Sequence, residues 1–437
     1  MLRKVLLHKS GCPQLKRCFS VSNNLLEKHN CKVLVVGGGT GGCTVAAKLT
    51  KWMKKDEVIV LEPADKHYYQ PLFTLCGGGI KTVQDSYKSM QSVLPPKAKW
   101  IKKAAGKFDP DSNTVTTVDG DIITYDVLVV ATGLQLRYEK IPGLVDALEK
   151  FNNVGSIYLP QYAEKTFKVL QGFKDGDAIF TYPQSPVKCP GAPQKICYIS
   201  EDVLKSMGKR GGAKITYNTS LPVIFGVKRY ADALWEVVKK RDIKVNLQTS
   251  LVEVKPDKNE AVFENLETKE RFTSGYSMLH AVPPMSPPDV VTSCKQLVNE
   301  AGFVDVNKDN LQHVKYPNVF AIGDCSSSPN SKTTAAVAAQ APVVHAHIKA
   351  FLTNGKSSLA YNGYASCPLV TGYRKCILAE FDYDLTPQET FPIAQNRELW
   401  SMYVMKKDFM PILYWNLMLK GNWNGPQIVR KMLRLGF

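Results

Sequence analysis

Strand Lys32–Val36 (KVLVV) runs straight into Gly37-Gly38-Gly39-Thr40-Gly41-Gly42. A helical pattern follows through Lys54, and a second strand, Glu57–Leu61, ends at Glu62. This is G-x-G-x-x-G between a strand and a helix, with an acid 20 residues after the last glycine. Few folds accommodate it. Gly37 permits a tight turn, Gly39 lets the backbone approach a pyrophosphate, and Gly42 lets helix and strand pack closely. Thr40 and Gly41 open the helix, whose free N–H groups face the phosphates. Glu62 is placed to accept hydrogen bonds from a ribose. A lone glycine motif is a weak signal, but the strand, motif, helix, strand and acid together specify a dinucleotide-binding α/β unit.

Two later segments extend it. Strand Tyr125–Val130 leads into Ala131-Thr132-Gly133. Strand Val319–Ile322 leads into Gly323-Asp324, then a helix from about Lys332 to Phe351. These turns resemble those of two-dinucleotide-domain flavoproteins. The resemblance implies FAD, with Thr132 and Gly133 at the cofactor and Asp324 on its ribityl chain. It implies an α/β fold of two Rossmann-like dinucleotide-binding domains, as in glutathione reductase. The FAD domain is then discontinuous, residues 31–150 plus 280–360, around an inserted domain at 151–279. Where NAD(P)H-dependent members carry a second glycine fingerprint, strand Asp177–Thr181 is followed by Pro183-Gln184-Ser185-Pro186-Val187-Lys188-Cys189-Pro190-Gly191-Ala192-Pro193-Gln194-Lys195. Proline has no N–H to offer a phosphate. The electron donor is therefore expected to be something other than a nicotinamide.

Eleven cysteines are spread over 437 residues. A chain this long needs no disulfide framework to fold, so redox or catalytic cysteines are expected among them. Cys189 sits between Lys188 and Pro190, just before a helix, with Lys195 one turn on; nearby positive charge and a helix N-terminus both favour a thiolate. Cys367 lies in a second Cys-Pro pair, in a region (361–437) that two dinucleotide domains do not require. Cys43, Cys76, Cys197, Cys294 and Cys376 read as small buried residues. There is no C-x-x-C and no C-x4-C, which excludes thioredoxin-reductase-type chemistry.

Charge speaks to location. The chain carries 56 basic against 39 acidic residues, a net of +17. Residues 1–30 hold six Lys or Arg against Glu27 alone, and lack a long apolar core. This fits a mitochondrial transit peptide; the alternative is a merely basic N-terminus. Residues 404–437 interleave Phe409, Ile412, Trp415, Leu417, Trp423 and Met432 with six basic residues. That pattern suits a helix lying in a membrane interface, or one packed on the core or at a dimer contact. No run of 18 or more apolar residues occurs, so no helix is expected to span a bilayer. A nucleic-acid partner is not expected, since no binding motif accompanies the charge. No metal is expected either.

The chain resembles the mitochondrial sulfide:quinone oxidoreductases over roughly residues 31–437. The resemblance rests on His67-Tyr68-Tyr69-Gln70-Pro71, Pro186-Val187-Lys188-Cys189, Gly191-Ala192-Pro193-Gln194-Lys195 and His280-Ala281-Val282-Pro283-Pro284-Met285. It also rests on Ser331-Lys332-Thr333, Cys367-Pro368-Leu369-Val370-Thr371-Gly372-Tyr373 and Tyr414-Trp415-Asn416. It implies that Cys189 and Cys367 form a redox pair beside the flavin, with Gln70, Ala105 and Lys195 at the cofactor. Lys332 would stabilise negative charge on reduced flavin. It implies oxidation of hydrogen sulfide, ubiquinone as electron acceptor, glutathione or sulfite as sulfur acceptor, and residence on the mitochondrial inner-membrane surface. The third redox cysteine common in bacterial relatives is not expected, because segment Asp111–Val115 offers Thr114 instead. Two alternatives differ in kind. A type II NADH:quinone dehydrogenase would need the missing glycines, and a non-catalytic flavoprotein scaffold gives no reason for two Cys-Pro pairs.

Overall fold

A computed structural model describes residues 26–434. Most of the expected transit segment lies outside the described residues. Fully buried aliphatic runs make the central sheet. Val33–Val36, Val58–Leu61 and Val127–Val130 are covered on both faces, as parallel strands between helices must be. The first strand, Lys28–Val36, pairs in parallel with Val58–Leu61 on one side and Ile122–Val130 on the other. It starts four residues before the expected Lys32. Its polar first half, Lys28–Cys31, is held by register with Ile122–Tyr125 rather than by burial. Strand Lys99–Ile101 extends one edge of the sheet, and the antiparallel pair Thr114–Thr117 and Ala105–Asp109 closes the other. Strand Val319–Ala321 returns from late in the chain to pair with Leu128–Val130. The nucleotide domain is thus discontinuous in the sheet itself.

The inserted domain has its own five-stranded parallel sheet, ordered Val154–Gly155, Met278–His280, Gly176–Tyr182, Ala213–Thr219, Ile243–Asn246. Helices Ala192–Ser206 and Lys228–Lys240 cover it. A three-stranded antiparallel sheet spanning Thr249–Gly275 is appended. Two short strands, Gln135–Leu136 and Met285–Ser286, cross between the domains side by side.

After the long helix Thr334–Leu352 comes a hairpin, Ala365–Gly372 with Lys375–Phe381. It is buried along nearly its whole length and sits against helix Ala192–Ser206. The C-terminal segment departs from the single interfacial helix read from the sequence. It runs as a helix from Trp400 to Met418 containing two wide turns, Met405–Phe409 and Tyr414–Met418. A short helix, Gln427–Leu433, follows. One face is exposed and apolar, with Phe409 63% and Ile412 57% exposed. The other face is core: Tyr414, Met418 and Leu419 are almost wholly buried. The packing element that the sequence posed as one alternative is thus one face of the segment, and the other face is left exposed.

Candidate functional site

One cavity of about 810 Å³ reaches from the glycine loop to the hairpin that carries Cys367. Its dinucleotide end is built by backbone. Gly37 has φ +106°, and a Cβ there would lie 2.4 Å from the carbonyl oxygen of Ala131. A Cβ on Gly42 would lie 1.8 Å from the Gly37 oxygen, so only glycine lets the helix pack there. Gly39 faces open space. Helix Thr40–Leu49 starts with no side-chain cap, so its first N–H groups remain available to an anion. The Glu62 carboxylate accepts from the Gly38 N–H (2.7 Å) and the Ala64 N–H (2.8 Å). Two oxygens still leave lone pairs for a ribose.

Gly37, Gly39, Thr40, Gly41, Glu62, Gln70, Thr132, Gly133, Lys195, Asp324 and Lys332 all line this cavity. Gly42 supports it from behind. Ala105 does not line it: it begins the antiparallel edge strand Ala105–Asp109, at the far margin of the sheet. The Thr132 hydroxyl is buried without a partner. Burial pushes the Asp324 carboxyl up, against the pull of Lys332 and Lys188. A phosphate cradle at a bare helix end, an acid beside it and an unsatisfied hydroxyl further in fit a bound dinucleotide. Lys332 is less free than the sequence reading required, since its ammonium donates to the carbonyls of Ser326 (2.7 Å) and Ser328 (3.2 Å).

At the other end stand the two cysteines. Cys189 occupies a turn with φ +56°, a costly backbone for a residue with a Cβ. Its N–H donates to the Lys332 carbonyl at 2.7 Å, which pins that turn to the nucleotide domain. Cys367 comes from the hairpin 178 residues later, and the two sulfurs are 3.9 Å apart. The Lys195 ammonium lies 3.2 Å from the Cys189 sulfur and 3.8 Å from that of Cys367. The hydrogen bond donated by Cys367 holds the Cys189 thiol well below the usual cysteine range; burial opposes this and Lys195 reinforces it. The same bond and burial push Cys367 well above that range. Burial disfavours charge on Lys195, but the negative sulfur beside it outweighs burial and holds the ammonium above the usual lysine range. The arrangement thus favours a thiolate at Cys189, the sulfur nearer the fixed cation.

Gly191 makes this approach possible. A Cβ there would lie 2.4 Å from the Cys367 sulfur and 2.8 Å from the Leu369 side chain. Its φ is −80°, so the constraint is space, not backbone. Gly191→Ala is expected to slow closure of a Cys189–Cys367 disulfide by about tenfold or more, because overpacking typically costs ~1–3 kcal/mol. Counting free thiols during mild oxidation checks it, and closure at the wild-type rate would contradict the steric reading.

Four participants carry no role in the sequence reading. Lys406, only 2% exposed, lines the cavity and donates to the Pro71 carbonyl at 3.0 Å. Burial, with help from Lys195, pushes it down to about 8. Its signal was present: Met402, Lys406 and Met410 fall on one face at helical spacing, and a lysine within an apolar stripe is out of place. The Tyr158 hydroxyl is buried in the cavity wall without a partner, and nothing in its local sequence marks it. His67 and Tyr414 stand in quoted motifs, but their contact joins residues 347 positions apart. Cys43, Cys76, Cys197, Cys294 and Cys376 are buried, and burial pushes each of them up.

The family model described as pyridine nucleotide-disulphide oxidoreductase matches residues 31–181 and 207–341. A Mus musculus protein named mitochondrial sulfide:quinone oxidoreductase is 49% identical over 94% of this chain and 91% of its own length. A protein of the same name from Dictyostelium discoideum is 43% identical over 91% of this chain and 88% of its own. The solved sulfide:quinone oxidoreductase of Aquifex aeolicus superposes with a TM-score of 0.78 at 23% identity. It covers 93% of this chain and 95% of its own, a likeness of fold.

Proposed function

The chain belongs to the sulfide:quinone oxidoreductases, within the pyridine nucleotide-disulphide oxidoreductase family, and on that footing we propose that it oxidises hydrogen sulfide at Cys189 and Cys367. FAD is its electron carrier and ubiquinone its electron acceptor. The observation that carries this reading is the sulfur pair at 3.9 Å, with Lys195 beside it and Cys189 in the wall of the dinucleotide cavity.

The residues divide the work. With the pair oxidised, hydrosulfide attacks the Cys367 sulfur. The S–S bond breaks, Cys367 keeps the added sulfur as a persulfide, and Cys189 leaves with the electron pair as a thiolate. Cys189 is the better leaving group because the Lys195 ammonium lies nearer its sulfur (3.2 Å) than that of Cys367 (3.8 Å). Attack by glutathione or sulfite on the outer sulfur carries it away and frees the Cys367 thiolate. Closing the Cys189–Cys367 bond again releases two electrons, for which bound FAD supplies the acceptor. Gly37, Gly39, Thr40 and Gly41 would hold its pyrophosphate, Glu62 its ribose, and Asp324 its ribityl chain.

The enzyme works on the mitochondrial inner-membrane surface in this reading. The exposed face of the C-terminal segment (Phe409, Ile412, Leu417) would lie in the headgroup region, and a long-tailed quinone would enter the cavity from there. Among the described residues no helix is long and apolar enough to cross a membrane. The rival donor, NADH, finds Pro186, Pro190 and Pro193 where its phosphates would need N–H groups. Anaerobic titration of the purified protein decides between them. Sulfide at micromolar concentration, with glutathione present to take the sulfur, is expected to bleach the flavin band promptly, and NADH to leave it unchanged. Rapid bleaching by NADH would overturn the reading.

A further inference from the structure

Helix Thr40–Leu49 carries the phosphate-binding loop at its start, and the C-terminal segment grips it at both ends. At the far end, Lys48 and Lys51 donate to the Gly421 carbonyl (3.2 and 2.8 Å). They also reach the side chains of Asn424 and Asn422. At the loop end, the Tyr414 hydroxyl sits 2.5 Å from His67 Nε2 and 2.9 Å from Thr40 Oγ1. His67 Nδ1 in turn lies 2.9 Å from the Gly38 carbonyl oxygen.

We propose that His67 and Tyr414 are positioning residues for the cofactor, through which the C-terminal segment sets the shape of the phosphate loop. Burial pushes His67 down to about 4, so the ring is neutral and has one N–H. Nδ1–H donates to Gly38 and Nε2 accepts from Tyr414, which fixes the direction of the chain. The Cys43 thiol donates to the same Gly38 oxygen at 3.1 Å. In a trans peptide the N–H points opposite to the C=O. Holding the Gly38 carbonyl toward His67 therefore turns the Gly39 N–H the other way, and Gly39 lines the cavity. Thr40, the first helical residue and also a lining residue, is steered by the same hydroxyl. The Tyr414 ring is itself wedged against Tyr69, with centroids 4.3 Å apart. A segment that orders the loop must be ordered by whatever binds the loop, because coupling between sites is reciprocal.

The inference rests on the reading of the loop as an FAD site, and its test separates the two. Flavin is removed and restored by titration, followed by quenching of flavin fluorescence. Hydrogen exchange is measured on the holoprotein and on the flavin-free protein. Tyr414→Phe, which keeps the ring, is expected to weaken FAD binding about tenfold, in line with loss of one buried hydrogen-bond network. His67→Gln should weaken it comparably, and the double variant little more than either. In the wild type, FAD should slow exchange in both 37–43 and 410–419; in Tyr414→Phe it should slow only 37–43. A merely structural role would weaken all states alike and leave that pattern unchanged. Wild-type FAD binding that persists within twofold in Tyr414→Phe would overturn the inference alone. A wild-type protein that binds no FAD would overturn it together with the cofactor reading.

Discussion

Cys189→Ser and Cys367→Ser are each expected to slow bleaching of the flavin by sulfide by at least about 10³-fold, equivalent to ~4 kcal/mol of barrier. The size follows from the chemistry. Hydrosulfide needs a disulfide to attack, and a lone cysteine cannot form one with the serine opposite it. Neither substitution should displace the cofactor, because neither sulfur belongs to the glycine loop, to Glu62 or to Asp324. FAD content near one per chain is therefore the internal control. Cys294→Ser is the second control, since that thiol lies in the nucleotide-domain core. Stopped-flow mixing with sulfide and glutathione under anaerobic conditions reads the effect directly. Substantial bleaching in either variant would show that the pair at 3.9 Å is not the sulfur site.

Deleting everything after Tyr403 is expected to remove FAD as well as the exposed apolar face. A tail that only docked the protein would separate the two half-reactions cleanly: flavin reduction by sulfide would survive and only long-tailed quinones would suffer. The packing argues otherwise. Tyr414, Met418 and Leu419 are buried in the nucleotide-domain core. At ~2 kcal/mol per buried large apolar side chain, those three contribute roughly 6 kcal/mol. That is comparable to the ~5–15 kcal/mol net stability of a whole domain. Met405, Lys406, Phe409, Met410, Leu413 and Tyr414 also form part of the cavity wall. The truncated protein should be recovered with little flavin, and with a midpoint of thermal unfolding lowered by many degrees. Full FAD content and normal reduction by sulfide would show that the buried face is dispensable. Milder changes to the exposed face, such as Ile412→Ser with Leu417→Ser, are the appropriate probe of membrane docking, since those side chains face outward and do not line the cavity.

The difference between these two arguments shows what a chain of this kind discloses in one dimension. Gly37 to Glu62 was legible because the chemistry of a phosphate cradle is local. A turn, an open backbone, a helix end and an acid must follow one another in order, and so the order is the signal. The inserted domain's missing glycines were legible for the same reason. The hydrophobic runs at Val33, Val58 and Val127 announced buried parallel strands, because a strand covered on both faces has no polar side to show. The polar start of the first strand was not legible, since its partner Ile122–Tyr125 lies about ninety residues away.

The cysteine pair belongs to the other class. Lys188, Pro190 and Lys195 marked Cys189 as unusual, and Pro368 marked Cys367, but no local pattern requires two residues 178 positions apart to touch. Contact came from the hairpin Ala365–Gly372 lying on helix Ala192–Ser206, and from Gly191 leaving room for a sulfur. Which sulfur better carries negative charge depends on distances to Lys195, 3.2 Å from Cys189 and 3.8 Å from Cys367, that only the packed molecule has. The C-terminal segment is the clearest case. Its composition states that it is apolar and basic, which is enough to suggest an interface. Which side chains turn inward depends on its two wide turns and on the helix beneath. Lys406 and Tyr414 therefore became part of the site only in three dimensions. Composition is a property of the chain; the direction in which a side chain points is a property of what it packs against.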